Sequence, residues 1–124
     1  MDNIYRENIL DHFKNPRNFG KLTNPSAEFS LYNSVCGDKI EMDVKVKEER
    51  VDDVKFRGEG CAISIASASI LTESVKGKEL ELVKKIDRGD IIKLLGISLS
   101  PTRLKCALLP LEVLHKILSL AKDK

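Results

Sequence analysis

Residues 39–47 read Lys-Ile-Glu-Met-Asp-Val-Lys-Val-Lys, and this alternation constrains the fold more than any other feature of the chain. Successive side chains of a strand point to opposite sides, so Ile40, Met42, Val44 and Val46 share one face. Lys39, Glu41, Asp43, Lys45 and Lys47 share the other. Such a segment is a half-buried antiparallel strand, with one face on a core and one in water. Its neighbours supply partners. Phe29 and Leu31 alternate with polar residues up to Val35, ahead of a turn at Cys36-Gly37-Asp38. After a tight connection at Glu48-Glu49-Arg50, Val51 to Arg57 returns through Val54 and Phe56. A three-stranded meander is expected.

The flanks change period. Asn3 to Lys14 places Ile4, Tyr5, Ile9, Leu10 and Phe13 on roughly one helical face, and stops before the loop Asn15-Pro16-Arg17-Asn18-Phe19-Gly20. Cys61 to Lys76 is rich in Ala, Ile and Ser and ends at Gly77, a fitting residue beyond a helix C-terminus. Ala62, Ala66, Ala68 and Ser69 lack bulk, which lets this helix approach the sheet closely. Lys78 to Leu95 suggests one or two short helices, broken near Arg88-Gly89-Asp90 and Gly96. Ser100-Pro101 can cap and open a last helix running to Ala121, whose apolar residues include Leu104, Leu108, Leu111 and Leu114. The fold class is α+β: a three-stranded antiparallel sheet packed against several helices in one domain spanning 1–124.

Charge excludes more than it suggests. Twenty-one Lys and Arg face 19 Asp and Glu, a net charge of +2, too even for a nucleic-acid or membrane partner held by electrostatics. Aromatic residues make up 5% and Trp is absent, so no base-stacking surface is expected. No apolar run approaches the roughly 20 residues that span a bilayer, and the N-terminus lacks the pattern of a signal peptide. A cytoplasmic protein is the expectation. In a reducing compartment three cysteines do not build a disulfide framework. They are either small buried hydrophobes or a site for metal or thiol chemistry.

Each cysteine stands in a place that favours the second reading. Cys36 lies in a strand-joining turn, followed by Gly37 and by Asp38, whose carboxylate is close enough in sequence to reach the same metal ion. Cys61 follows Gly58-Glu59-Gly60 and opens a helix, where unpaired amides and the positive helix end lower a thiol pKa. Cys106 is preceded by Arg103 and Lys105, cations that favour a thiolate. Pro110 cannot donate to the Cys106 carbonyl, so the last helix either kinks there or begins its regular part near Pro110. The spacings of 25 and 45 residues match no zinc finger or Cys-x-x-Cys motif, so any convergence of the three must be tertiary. An exposed site shared by the three thiols is expected.

Three segments carry a resemblance: Val35-Cys36-Gly37-Asp38, Gly58-Glu59-Gly60-Cys61 with Ala62 to Ser69, and Arg103-Leu104-Lys105-Cys106-Ala107. Together with Tyr5, Asp11-His12-Phe13 and Asn15 to Gly20, they resemble the cysteine motifs and opening of the IscU/SufU/NifU-type iron–sulfur cluster assembly scaffolds. The likeness covers essentially the whole chain. It implies that Cys36, Cys61 and Cys106 hold a nascent [2Fe–2S] cluster, with Asp38 as a nearby or fourth ligand. It also implies that sulfur arrives as persulfide from a cysteine desulfurase, and that the cluster passes on to apo iron–sulfur proteins. Such a protein is a carrier rather than an enzyme, monomeric or dimeric. Zinc often occupies the same site in isolated members of such families.

Two departures bear on the branch. Lys105 stands where the best-known branch has His, and Leu99-Ser100-Pro101-Thr102-Arg103 replaces a Leu-Pro-Pro-Val-Lys segment, which counts against a dedicated Hsp70 chaperone pair. The Arg-x-Lys-Cys form resembles the SufU branch, a zinc-dependent sulfur acceptor, but the extra segment of that branch between the second and third cysteines is missing here. Three thiolates and a carboxylate carry four negative charges, which Zn²⁺ or a [2Fe–2S]²⁺ core reduces to two; Arg103, Lys105 and Lys39 are expected to offset the remainder. His12 and His115 lie outside the cysteine motifs and are assigned structural or solvated roles. The Lys45/Lys47 and Lys84/Lys85 pairs are read as solvated faces.

Overall fold

The alternating segment becomes the middle strand of a three-stranded antiparallel sheet in the order β1-β2-β3. In the computed structural model, which describes residues 3–120, β1 spans Ala27–Asn33, β2 Asp38–Lys47 and β3 Arg50–Glu59. Five helices accompany them: α1 Asn3–Lys14, α2 Ala62–Val75, α3 Leu80–Lys84, α4 Arg88–Leu95 and α5 Pro101–Leu120. The α+β meander expected from the sequence is the fold observed. Ile40, Met42, Val44 and Val46 are all buried, and their cross-strand partners Leu31, Phe29, Val54 and Phe56 extend the same apolar face. The β2–β3 connection takes two residues, Glu48 and Glu49, both with positive φ (53° and 59°). That conformation matches the right-handed twist of the flanking strands.

α2 occupies the centre of the domain, packed against α1, α5, α4 and β3. It is apolar on nearly every side because nearly every side is covered. Its buried hydroxyls are hydrogen-bonded, several of them to other elements. Ser67 donates to the Ala107 carbonyl on α5 (2.6 Å), and Thr72 donates to the Ser69 carbonyl (3.0 Å) and accepts from Asn18 (3.2 Å). Ala66 and Ala68 are fully buried as expected, but Ser69 faces α1 instead of the sheet. Its Oγ meets His12 Nδ1 at 2.7 Å and accepts the Arg17 amide at 2.8 Å.

That clasp corrects the reading of α1. The residues placed on its apolar face are largely exposed, with Ile4 at 79%, and the helix buries Ile9 and His12. Two covered positions, three apart, are enough because α1 lies at the edge of the domain and only one stripe meets α2. Burial, with the Arg17 guanidinium second, holds the His12 imidazole below the ordinary histidine range.

Asp43 is the second correction. It stands on the water-facing side of β2 yet is buried, because the segment from Asn18 to Ser26 folds over that part of the sheet. Arg57 grips its carboxylate with two nitrogens (3.1 and 3.2 Å), and the Leu22 amide donates to it as well (3.0 Å). The third correction is the helix break, which falls at Lys85–Asp87. Arg88-Gly89-Asp90 is the first turn of α4, fixed by a reciprocal capping box between Asp87 and Asp90. α5 starts at Pro101, as the Ser100-Pro101 pair predicts, and runs through Pro110, so of the two alternatives at Pro110 a regular helix beginning there is excluded. Ser100 caps it through Arg103 N (3.3 Å), and Leu104 N donates to the Ser100 carbonyl (2.8 Å). Residue 121 lies outside the described residues.

α4 ends at Gly96 with φ 72°, and the Tyr5 ring of α1 lies where a Cβ would stand. Gly96→Ala therefore combines a left-handed alanine, costing about 1–2 kcal/mol, with displacement of the tyrosine. The expected result is a Tm several degrees lower by circular dichroism. An unchanged Tm would show that α1 does not rest on the end of α4.

Candidate metal centre

The sheet meets the starts of α2 and α5 at one end, and four chain segments deliver side chains there. The first is the β1–β2 turn. Asn33 shapes it by accepting the Gly37 amide on its carbonyl (2.8 Å) and the Val35 amide on its side-chain oxygen (3.0 Å). Gly37 has φ 74°, a left-handed conformation that sends the chain back into β2. Cys36 sits half-buried in this turn, with its Sγ 3.8 Å from Asn33 Nδ2.

The turn ends one residue earlier than expected. Asp38 is the first residue of β2 and is wholly buried (0% exposed). Its Oδ1 accepts the Cys61 amide at 2.9 Å, so a carboxylate on one element caps the helix that begins on another. Gly60 makes this possible, since a Cβ there would collide with the Asp38 carboxylate and the Ser64 hydroxyl. Cys61 is the N-cap residue of α2, half-buried, with Sγ 3.8 Å from Asp38 Oδ2 and 3.9 Å from Ser64 Oγ. Ser64, fully buried, donates to the Cys61 carbonyl (3.1 Å) and fixes this first turn.

Cys106 lies in the second turn of α5 and is 1% exposed. Its thiol donates to the Thr102 carbonyl one turn earlier (3.5 Å), and the Cys36 thiol reaches the same carbonyl (3.9 Å). Ligand atoms of Cys36, Asp38 and Cys106 lie within 4.8 Å of one another. Ligands around one zinc at about 2.3 Å would stand about 3.8 Å apart, so a small closure suffices. Cys61 is not one of those three and joins the group through Asp38. Two or three soft sulfurs with one hard oxygen suit zinc or iron–sulfur chemistry better than magnesium or calcium.

The electrostatics differ from the expectation. Arg103 and Lys105 are exposed, because successive α-helical residues are rotated by about 100° and Cys106 is the one that faces inward. Lys105 lines a surface groove, and Lys39 points to water and pairs with Glu41 (3.9 Å). The Cys106 thiol is pushed up, not down, first by burial and then by hydrogen bonding with Cys36 and Asp38 and by Cys61. A coordinated cation would reverse this, since a metal-bound thiol is deprotonated outright. The centre is also less open than an exposed site, with Cys106 and Asp38 buried and Cys36 and Cys61 half-covered.

His12 and His115 lie outside this group. His12 clasps α1 to α2, and its Nε2 stands 3.9 Å from Glu73. His115 has a buried Nε2 without a hydrogen-bond partner among the described residues, in a cleft with Lys84, Leu118 and Ser119. Asn33, Ser64 and Thr102 were not among the residues singled out from the sequence. The Asn33 position, an Asn before a Gly-containing turn, carried a signal; Thr102 acts through its carbonyl, which no side-chain pattern reveals.

Comparison with known proteins shows the family of this chain. The NifU-like N terminal domain family matches residues 4–123. A zinc-dependent sulfurtransferase SufU of Bacillus subtilis is 42% identical, covering 94% of this chain and 90% of its own. That alignment is 133 residues long, more than the 124 of this chain, so the relative carries residues with no counterpart here. The iron–sulfur cluster assembly scaffold protein IscU 1 of Archaeoglobus fulgidus is 38% identical over 113 residues, covering 91% of this chain and 73% of its own. Those 113 residues amount to the covered share of this chain, so no such insertion separates the two. Among solved structures, a protein of Fervidobacterium islandicum described as an iron–sulfur cluster assembly scaffold for the SUF system superposes with a TM-score of 0.77 at 32% identity. It covers 90% of this chain and 94% of its own.

Proposed function

This chain belongs to the NifU-like N-terminal domain family, and from that premise we propose that it is a scaffold. On it a [2Fe–2S] cluster is assembled from iron and from sulfur supplied by a cysteine desulfurase, then handed to apo-proteins. The observation that carries this reading is the gathering of Cys36, Cys106 and Asp38 within 4.8 Å, with Cys61 attached through the same carboxylate. Sulfur ligands hold iron firmly, while a carboxylate oxygen is the harder and weaker partner, so a cargo held this way can be released. The cluster is cargo here, and the domain spanning 1–124 works as a carrier rather than as an enzyme.

The chain's own residues divide the work. Gly37 and Asn33 set the Cys36 turn, Asp38 ties β2 to the start of α2, and Ser64 fixes the Cys61 turn. Cys36 and Cys61 are the half-covered thiols and therefore the groups an incoming persulfide meets first; Cys106 is the buried anchor. No helix among the described residues is long and apolar enough to cross a membrane.

A second reading has its own support. The likeness to a protein named a zinc-dependent sulfurtransferase, with the Arg103-Leu104-Lys105-Cys106 form, favours a zinc-bound thiolate that accepts sulfur. The insertion-free alignment with the A. fulgidus scaffold favours the first. Anaerobic reconstitution with iron and sulfide followed by mixing with apo-ferredoxin separates them. We expect a visible chromophore that moves to ferredoxin. Tight zinc, stimulation of a desulfurase and no transferable cluster would establish the acceptor instead.

A further inference from the structure

The two edges of the sheet are treated differently. The outer edge of β3 is covered at two places, around Phe56 and around Val51. Gly20 N donates to the Phe56 carbonyl and Phe56 N to the Asn18 carbonyl, both at 2.8 Å. At its other end Val51 exchanges backbone bonds with Lys78 and Gly77 (2.9 and 2.7 Å), and Leu80 N donates to the Glu49 carbonyl (2.9 Å). The outer edge of β1 receives no backbone hydrogen bond from Ala27 to Tyr32 among the described residues. Nor does β1, Ala-Glu-Phe-Ser-Leu-Tyr-Asn, carry the lysine or proline that commonly protects an open edge.

Beside that edge runs a groove of about 320 Å³ between the end of β1 and α5. Tyr32 and Val35, 65% and 67% exposed, form one rim, and Leu109 contributes to the floor. Lys105 and Glu112 stand on the helical wall, and neither has an ion-pair partner among the described residues. Seven residues of helix separate them by about 10 Å, the span of about three strand residues. The groove ends at Ser34 and Val35, next to Cys36.

We infer that the open edge of β1 and this groove dock an extended segment of the recipient apo-protein, bringing its ligand residues to Cys36. An unpaired row of backbone donors and acceptors selects an extended chain over a helix, and the two opposed charges set its direction and register. Recognition through main-chain bonds tolerates different side chains. A carrier that supplies several recipients needs that tolerance, whereas one cognate sulfur donor does not. The inference rests on the scaffold reading.

The test follows amide hydrogen exchange of the full-length protein, with and without apo-ferredoxin, alongside cluster-transfer rates. We expect alternate β1 amides to exchange at least about tenfold more slowly with apo-ferredoxin present. Tyr32→Glu and Glu112→Arg, both at exposed positions, should each slow transfer by about tenfold without reducing the cluster first loaded. Transfer at the wild-type rate without β1 protection, or unaffected by both variants, overturns the docking site and leaves the scaffold reading intact. Concentration-dependent β1 protection in the absence of ferredoxin makes the edge a contact between two copies and also overturns it. If the wild-type protein transfers no cluster at all, the scaffold reading fails and the docking site with it.

Discussion

Cys106→Ser is expected to abolish stable cluster or zinc binding while leaving the apo-protein folded. The serine hydroxyl takes over the thiol's hydrogen bond to the Thr102 carbonyl, so the cost to the apo fold should be about 1 kcal/mol. As a ligand the exchange is not conservative. A hydroxyl is harder than a thiolate and does not ionise readily, and Cys106 is the most buried of the three cysteines. Metal affinity should fall by at least about a hundredfold, read by competition with a chelator and by the visible spectrum after reconstitution. Cys36→Ser and Cys61→Ser should behave in the same direction. If all three variants retained a cluster, the centre would lie elsewhere.

Cys106 also shows where the sequence could be read and where it could not. Its meeting with Cys36 and Asp38 was legible, but the effect of its neighbours was not. Arg103 and Lys105 are adjacent in the chain, yet the helical rotation sends them outward while the thiol turns inward. Sequence proximity stood in for contact, and in a helix it does so only at three and four residues. The strands were the opposite case, because a period of two maps directly onto the faces of a sheet, and Ile40 to Val46 bury as that period requires. Cys61 was placed correctly for the same kind of local reason, a cysteine directly after a glycine at a helix start. Asp38 was assigned to the turn, and only the Asn33–Asp38 pairing reveals it as a strand residue facing the core. The face of α1 failed because helical periodicity states which residues share a side, while which side is covered depends on α2, fifty residues away.

Asp38→Ala should have two opposite effects, one in each state of the protein. In the apo-protein it deprives the Cys61 amide of its acceptor and leaves a gap in a wholly buried position. A loss of about 1–3 kcal/mol follows, seen as a Tm lower by several degrees. In the loaded protein the same change removes a negative charge from a centre that Arg103 and Lys105 do not neutralise by contact. Three thiolates and a carboxylate around a doubly positive core leave two negative charges, and without Asp38 one remains. Two unit charges 4 Å apart interact by about 4 kcal/mol at an effective dielectric constant of 20, so the relief is large enough to matter. The cluster should therefore persist longer and transfer to apo-ferredoxin several-fold more slowly. Asp38→Asn separates the two effects, because its amide oxygen still accepts from Cys61 N while the charge is gone. The expected pattern is near-normal apo stability with slow transfer for Asn, and low stability with slow transfer for Ala. Wild-type transfer in both variants would remove Asp38 from the release step. Equal loss of apo stability in both would mean that its charge, and not its hydrogen bond, holds β2 to the start of α2.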